Sequence, residues 1–335
     1  MKKFIGITMG CPVGIGPEII LKFFTFHSSE SPYQPVVLGD VNVLRRTADQ
    51  IGLQASFEEW TPGSVSESSV IPVYNLSDLS PDELSWGHPT IATGKAMARY
   101  IEEGARMALD GELEAIVTCP ITKSALKAAG YSYPGHTEML GNLTKTSDFG
   151  MMMAGNKLKT VLVTIHEPLS KVPGLLTRQK IVDTITMTVN SLVRDFGIQK
   201  PRVAVAGLNP HGGEDGMFGE EEFEIIGPGV VQCSDLGEIV GPLPPDTVFF
   251  KAVNGGYDAV VAMYHDQGLI PFKLIHFKDG VNVTLGLPIV RTSVDHGTAY
   301  DIAGKGVADY ASLAAAWDLA GVIAFNRMNG KCNER

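Results

Sequence analysis

The chain has 335 residues, a formal net charge of −10, 44% hydrophobic and 19% charged residues. That length supports a large core divided between lobes, and the acidic balance argues against nonspecific nucleic-acid binding, which draws on clustered Lys and Arg. It leaves room for a phosphorylated small molecule, because a few local cations outweigh distant charge at short range. No apolar run reaches the length of a membrane span.

Along the chain, short apolar runs alternate with longer helical patterns, the signature of βα units and a largely parallel sheet in an α/β fold. A first strand is predicted over residues 4–9, and Gly10, Pro12 and Pro17 interrupt it too soon for a signal peptide. The turn Gly10-Cys11-Pro12-Val13-Gly14-Ile15-Gly16-Pro17-Glu18 follows, with Pro17 suited to the first turn of a helix. It lacks the Lys of a phosphate loop and the spacing of the usual dinucleotide fingerprint. A strand is expected at 35–38, and the Ser-, Pro- and Glu-rich stretch 54–88 reads as irregular surface structure. Then come a helix over 94–110, a strand at 114–118 and a helix over 123–129. A glycine-bearing stretch at 130–137 is a candidate hinge. Strands at 160–165, 202–206 and 257–263, with helices over 177–196 and 308–324, complete the pattern. None of Cys11, Cys119, Cys233 and Cys332 forms a Cys-x-x-Cys pair, which points to reduced thiols in a cytoplasmic protein.

Three predicted strands each run into a histidine: His166, His211 and His265. Ligands of open α/β sheets bind at the carboxyl ends of strands, and three imidazoles converging there make a divalent-cation site with an open position. A satisfied polar residue explains any one of them as well. Asp266 and Glu214 follow closely and suit roles orienting an imidazole. In Pro134-Gly135-His136-Thr137-Glu138, a helix start offers N–H groups to an anion, although a Thr N-cap explains the same residues. Cations cluster in the last third, at Lys273, Lys278 and Arg291, with Asn282 among them. Arg holds phosphate or carboxylate in bidentate fashion, and Lys serves as a point charge or proton donor. Ordinary ion pairs with Asp or Glu are the alternative.

Five segments occur in matching order: Gly14-Ile15-Gly16-Pro17-Glu18, Pro134-Gly135-His136-Thr137-Glu138, Leu208-Asn209-Pro210-His211-Gly212-Gly213-Glu214, Tyr264-His265-Asp266-Gln267-Gly268 and Arg291-Thr292-Ser293-Val294-Asp295-His296-Gly297-Thr298-Ala299. Together they resemble the 4-hydroxythreonine-4-phosphate dehydrogenase family of pyridoxal phosphate biosynthesis, from about residue 4 to 325. That family is related to isocitrate and isopropylmalate dehydrogenases. The resemblance implies two α/β/α lobes with a central cleft, residues 1–133 with 300–335 forming one and 134–299 the other, in a homodimer that shares site residues across its interface. It implies NAD or NADP as cofactor and one divalent metal per subunit, zinc, cobalt or magnesium, held by His166, His211 and His265, with His166 offered across the dimer interface. His136, Thr137, Lys273, Asn282 and Arg291 match substrate-binding positions, and Asp246 another polar position. Lys273 and Asp246 are the candidate proton carriers, and His296 and Gly297 face the nucleotide. The implied reaction is NAD(P)-linked oxidation and decarboxylation of 4-hydroxythreonine 4-phosphate to 3-amino-2-oxopropyl phosphate. The alternative is the same chemistry on 4-phosphothreonate or 4-phosphoerythronate. Cys11 departs from the family pattern, which carries an acid before the Pro of the first glycine turn.

Overall fold

The structure, a computed structural model, describes residues 2–28, 31–67 and 69–333, with side chains as far as 330, so Cys332 lies outside the described side chains. In chain order the strands are β1 (Lys3–Thr8), β2 (Tyr33–Gly39), β3 (Phe57–Glu59), β4 (Ile71–Asn75), β5 (Ala115–Thr118), β6 (Gly150–Ala154), β7 (Lys159–Leu162), β8 (Arg202–Ala206), β9 (Glu238–Leu243), β10 (Ala259–Ala262), β11 (Val281–Leu285) and β12 (Arg291–Val294). The chain divides into two compact units, Met1–Asp148 with Leu287–Ala324, and Phe149–Gly286 with Phe325–Arg335.

In the first unit the strand order is β3-β4-β2-β1-β5-β12, and every pairing is parallel. Strands covered on both faces read as unbroken apolar runs; Ile5, Ile7, Val36, Val37, Leu38, Ile116 and Val117 are fully buried here. The strand order reverses beside β1, which sends one connection towards β2 and another towards β5. Such a switch point opens a crevice at the carboxyl ends of the strands. Residues 134–148 and 287–299 belong to this unit, because β12 pairs with β5 and the helix His136–Leu143 packs on the helix Ile91–Leu109. The stretch 54–88, expected to be irregular, contributes β3 and β4. Pro72, the second residue of β4, hides the strand in the sequence; its register partner is Glu58 of the short edge strand β3, and pairing with β2 starts only at Val73.

The second unit orders its strands β11-β6-β7-β10-β8-β9. Pairings from β7 to β9 are parallel, whereas β6 runs antiparallel to both neighbours. Its core gathers Leu162, Ala204, Ala206, Val260, Ala262, Val248 and Phe272. Asp195, after the helix Arg178–Arg194, is 1% exposed and accepts from Arg194 (2.8 and 3.1 Å) and from Arg327 (2.7 and 3.1 Å). Burial alone would raise its carboxyl, but the hydrogen bonds from Arg327 and Arg194 hold it below the usual range. Among the described residues no helix is long and apolar enough to cross a membrane, and Cys11, Cys119 and Cys233 are unpaired and buried. Replacing Asp195 by Ala leaves two guanidinium groups without their shared acceptor. The expected cost is about 3 kcal/mol, read as a lowered urea midpoint for the second unit.

Candidate functional site

In the second unit β7, β10 and β8 are consecutive neighbours. Parallel strands lie about 4.8 Å apart and end at the same edge, so the turns carrying His166, His265 and His211 emerge side by side. His166 and His265 have ring centroids 5.6 Å apart at 39°. Two imidazoles on one tetrahedral ion, with N–metal bonds of about 2.0–2.1 Å, place their centroids roughly 5 Å apart, so this pair fits a shared cation. His265 Nδ1–H donates to Asp266 Oδ1 at 2.7 Å, which leaves Nε2 as the available donor nitrogen. His211, on the next strand end, lies tilted at 47° to Phe218, with ring centroids 6.1 Å apart. Among the described residues no three His, Cys, Asp or Glu side chains gather into one metal-binding group.

The His211 turn has an unusual backbone. His211, Gly212, Gly213, Glu214 and Asp215 all have positive φ, between 41° and 84°. Non-glycine residues avoid this region, and a side chain elsewhere holds the turn in it. Glu222, 5% exposed, accepts from the Leu208 and Asn209 N–H groups (both 2.7 Å) and from Asn209 Nδ2 (3.0 Å). Its carboxylate fills the space that a Cβ at Gly213 would need, 2.7 Å from Oε2. Sequence reasoning missed Glu222, whose position in the acidic run Glu220-Glu221-Glu222 reads as a solvated surface. Lys273 is half-buried on the helix His265–Ile275, Asn282 is half-buried on β11, and Asp246 is exposed in the first turn of the helix Pro245–Val253.

In the first unit Arg291 opens β12 with 3% exposure, and its Nε and Nη2 donate to Thr118 Oγ1 at 3.1 and 2.8 Å. Burial lowers its pKa to about 9, with Glu138 acting in the opposite direction. His136 opens the helix His136–Leu143 behind Gly135, which provides no side-chain cap. Thr137 lies inside that helix, so the N-cap alternative does not apply. The His136 Nε2 is enclosed without a hydrogen-bond partner, and burial followed by the Arg291 charge depresses its pKa well below 6.5. A neutral imidazole with an unsatisfied nitrogen, a buried guanidinium and uncapped helix N–H groups form a setting for an oxyanion.

Around the switch point, three loops at the carboxyl ends of β1, β5 and β12 meet. Cys11 N–H donates to Pro120 C=O (2.8 Å), Ile15 N–H donates to Thr298 C=O (3.1 Å), and Tyr300 OH bonds Thr122 Oγ1 and the Cys11 thiol. Gly10, at φ 69°, leaves no room for a Cβ, which would meet Pro120 O at 2.4 Å. His296 Nδ1–H donates to Gly297 C=O in the same loop. Tyr300 and Thr122 escaped sequence reasoning because neither stands in a recognisable motif.

A family profile described as "Pyridoxal phosphate biosynthetic protein PdxA" matches residues 31–320. The chain belongs to this family. It is 53% identical over 335 residues to a 4-hydroxythreonine-4-phosphate dehydrogenase of Desulforapulum autotrophicum, covering 98% of each chain. It is 42% identical to a D-threonate 4-phosphate dehydrogenase of Pectobacterium atrosepticum, covering 97% of this chain and all of the other. A crystal structure of 4-hydroxythreonine-4-phosphate dehydrogenase from Klebsiella pneumoniae superposes with a TM-score of 0.88 at 44% identity, covering 97% of this chain and 98% of that one. The family is one of oxidoreductases, and its α/β fold is the one described above.

Two variants test these geometries. Gly213→Ala meets the Glu222 carboxylate as well as a φ of 84°, whereas Gly216→Ala, at φ 90°, has nothing within 4 Å. Thermal denaturation should show a cost on the order of 1–3 kcal/mol for Gly216→Ala and a larger one for Gly213→Ala. For His136, the folded state refuses a proton that the unfolded chain accepts near pH 6.5. Its stabilising contribution is therefore full above that pH and is lost as pH falls below it. Against His136→Gln, the wild type should lose roughly 1 kcal/mol of stability between pH 7 and 5.5.

Proposed function

We propose that this chain oxidises 4-hydroxythreonine 4-phosphate with NAD or NADP and releases carbon dioxide, giving 3-amino-2-oxopropyl phosphate. The observation that carries this reading is the full-length, 53% identity to a protein of that name. The enclosed, unsatisfied His136 Nε2 beside Arg291 supports it independently, because that setting suits a phosphate or carboxylate oxygen. In this reading His136, Thr137 and Arg291 bind an oxyanion of the substrate, and Lys273 and Asn282 bind its polar groups. His296 and Gly297 contact the nucleotide beside the glycine turn.

His166, His211 and His265 would hold a divalent cation, which when bound polarises the substrate hydroxyl and carbonyl oxygens. The imidazole donors suit zinc or cobalt better than magnesium. Lys273 or Asp246 takes the hydroxyl proton as the carbon-bound hydrogen leaves as hydride to the nicotinamide. The resulting β-keto acid breaks its bond to the carboxylate. Carbon dioxide departs, the electron pair passes into an enol, and a proton returned to carbon gives the ketone. The chain works as a cytoplasmic homodimer; exposed Phe250, Ile270, Leu274 and Phe277 on the second unit, 66–86% accessible, support a covered face there.

The D-threonate 4-phosphate dehydrogenase relatives favour a second reading, the same oxidation on 4-phosphothreonate or 4-phosphoerythronate. NAD(P)H absorbance with metal-loaded protein, offering 4-hydroxythreonine 4-phosphate and 4-phosphothreonate in parallel with and without chelator, separates the two. A chelator-sensitive signal favouring the first substrate is expected; preference for the second selects the alternative, and silence with both overturns the proposal. Arg291→Met should raise KM roughly 10–100-fold for the active substrate.

A further inference from the structure

The first unit holds a cavity of about 240 Å³ among the elements that lead into β2 and β4. Phe23, in the last turn of the helix Gly16–Phe26, stacks with His27 at 4.9 Å and 24°. Trp317, on the helix Ala311–Asn333, tilts against Phe23 at 5.6 Å. These three rings line the cavity together with Tyr33, Gln34 and Ser66. Tyr33 opens β2, and Val70 and Pro72 bring the start of β4 to the same lining. The cavity therefore stands at the amino ends of these parallel strands, whereas the glycine turn and the loops after β5 and β12 stand at the carboxyl ends.

Three oxygens on the lining residues are buried without a hydrogen-bond partner: Tyr33 Oη, Gln34 Oε1 and Ser66 Oγ. Tyr33 and Ser66 are 4% and 9% exposed. Gln34 Nε2–H donates to Ser66 C=O at 3.3 Å, which fixes the amide orientation and leaves its oxygen as an acceptor. Ser66 Oγ turns towards an occupant by rotation about one side-chain bond. Burial, and after it the Glu114 charge, pushes the Tyr33 phenol up, so it keeps its proton and both donates and accepts. Buried polar atoms are almost always paired, and three exceptions around one cavity mark a place where a ligand supplies the partners. The lining has no Lys or Arg among the described residues, and its one acid is Glu67, a balance that disfavours phosphate and carboxylate. Aromatic walls accept a flat ring in offset or edge-on contact. We propose that this cavity is an accessory binding site for an uncharged, flat aromatic molecule of one or two fused rings that carries N–H or O–H donors.

The test uses 5-hydroxyindole, which carries an N–H and an O–H on two fused rings, in calorimetric titration of the full-length protein. Saturable one-to-one binding is expected. The donor-free 1-methyl-5-methoxyindole and the anionic indole-5-carboxylate should each bind about 10-fold more weakly. Tyr33→Phe and Ser66→Ala should each weaken 5-hydroxyindole binding about 3–10-fold, and Val70→Trp, which fills the cavity, should abolish it. Without the probe, Tyr33→Phe should leave Tm unchanged or raise it, because the hydroxyl removed has no partner. If Val70→Trp fails to fold, the two conservative variants decide. Absence of saturable binding, the mark of a cavity that holds water alone, overturns the proposal. So does equal affinity for the donor-free analogue, or affinity unchanged in both Tyr33→Phe and Ser66→Ala.

Discussion

Parallel strands that stand side by side must end at the same edge of their sheet, and in the second unit this constraint brings three histidine-bearing turns together. Because β7, β10 and β8 are neighbours, three segments more than forty residues apart in sequence deliver histidines to one edge. The sheet supplies the coarse alignment, and polar side chains supply the fine one. Glu222 satisfies the Leu208 and Asn209 amides that lead into the positive-φ turn, and the Asp266 carboxylate fixes which His265 nitrogen remains available. Buried polar groups of this kind are stable only when every donor and acceptor is matched.

The first unit meets a different demand, the burial of a cation. Arg291 enters the interior at the first residue of β12 and is met by a neutral hydroxyl, Thr118, with the Glu138 charge nearby. Burial, and after it the Arg291 charge, keeps His136 neutral, so its ring can donate or accept a hydrogen bond without adding charge. At the switch point the packing of backbone on backbone requires glycine at position 10, and the Cys11 thiol meets the Tyr300 hydroxyl.

Much of this was legible in the sequence. Continuous apolar runs announced β1, β5, β7, β8 and β10, and three of these runs lead into the histidines that stand at one sheet edge. What stayed hidden depended on partners distant in the chain or on weak local signals. Met151-Met152-Met153 in β6 lacks the β-branched residues that mark a strand, and its antiparallel pairing interrupts an otherwise parallel pattern. The units divide after residues 148, 286 and 324, where no composition shift marks a boundary. Glu222 looked like one more surface acid.

X-ray absorption at the metal edge of the zinc-loaded protein tests most directly whether the shared edge of β7, β10 and β8 is a metal centre. The account predicts nitrogen and oxygen scatterers at about 2.0–2.1 Å with the outer-shell pattern of two or more imidazoles, diminished when His265 is replaced by Ala. A spectrum without imidazole scattering, or one unchanged by His265→Ala, would contradict it.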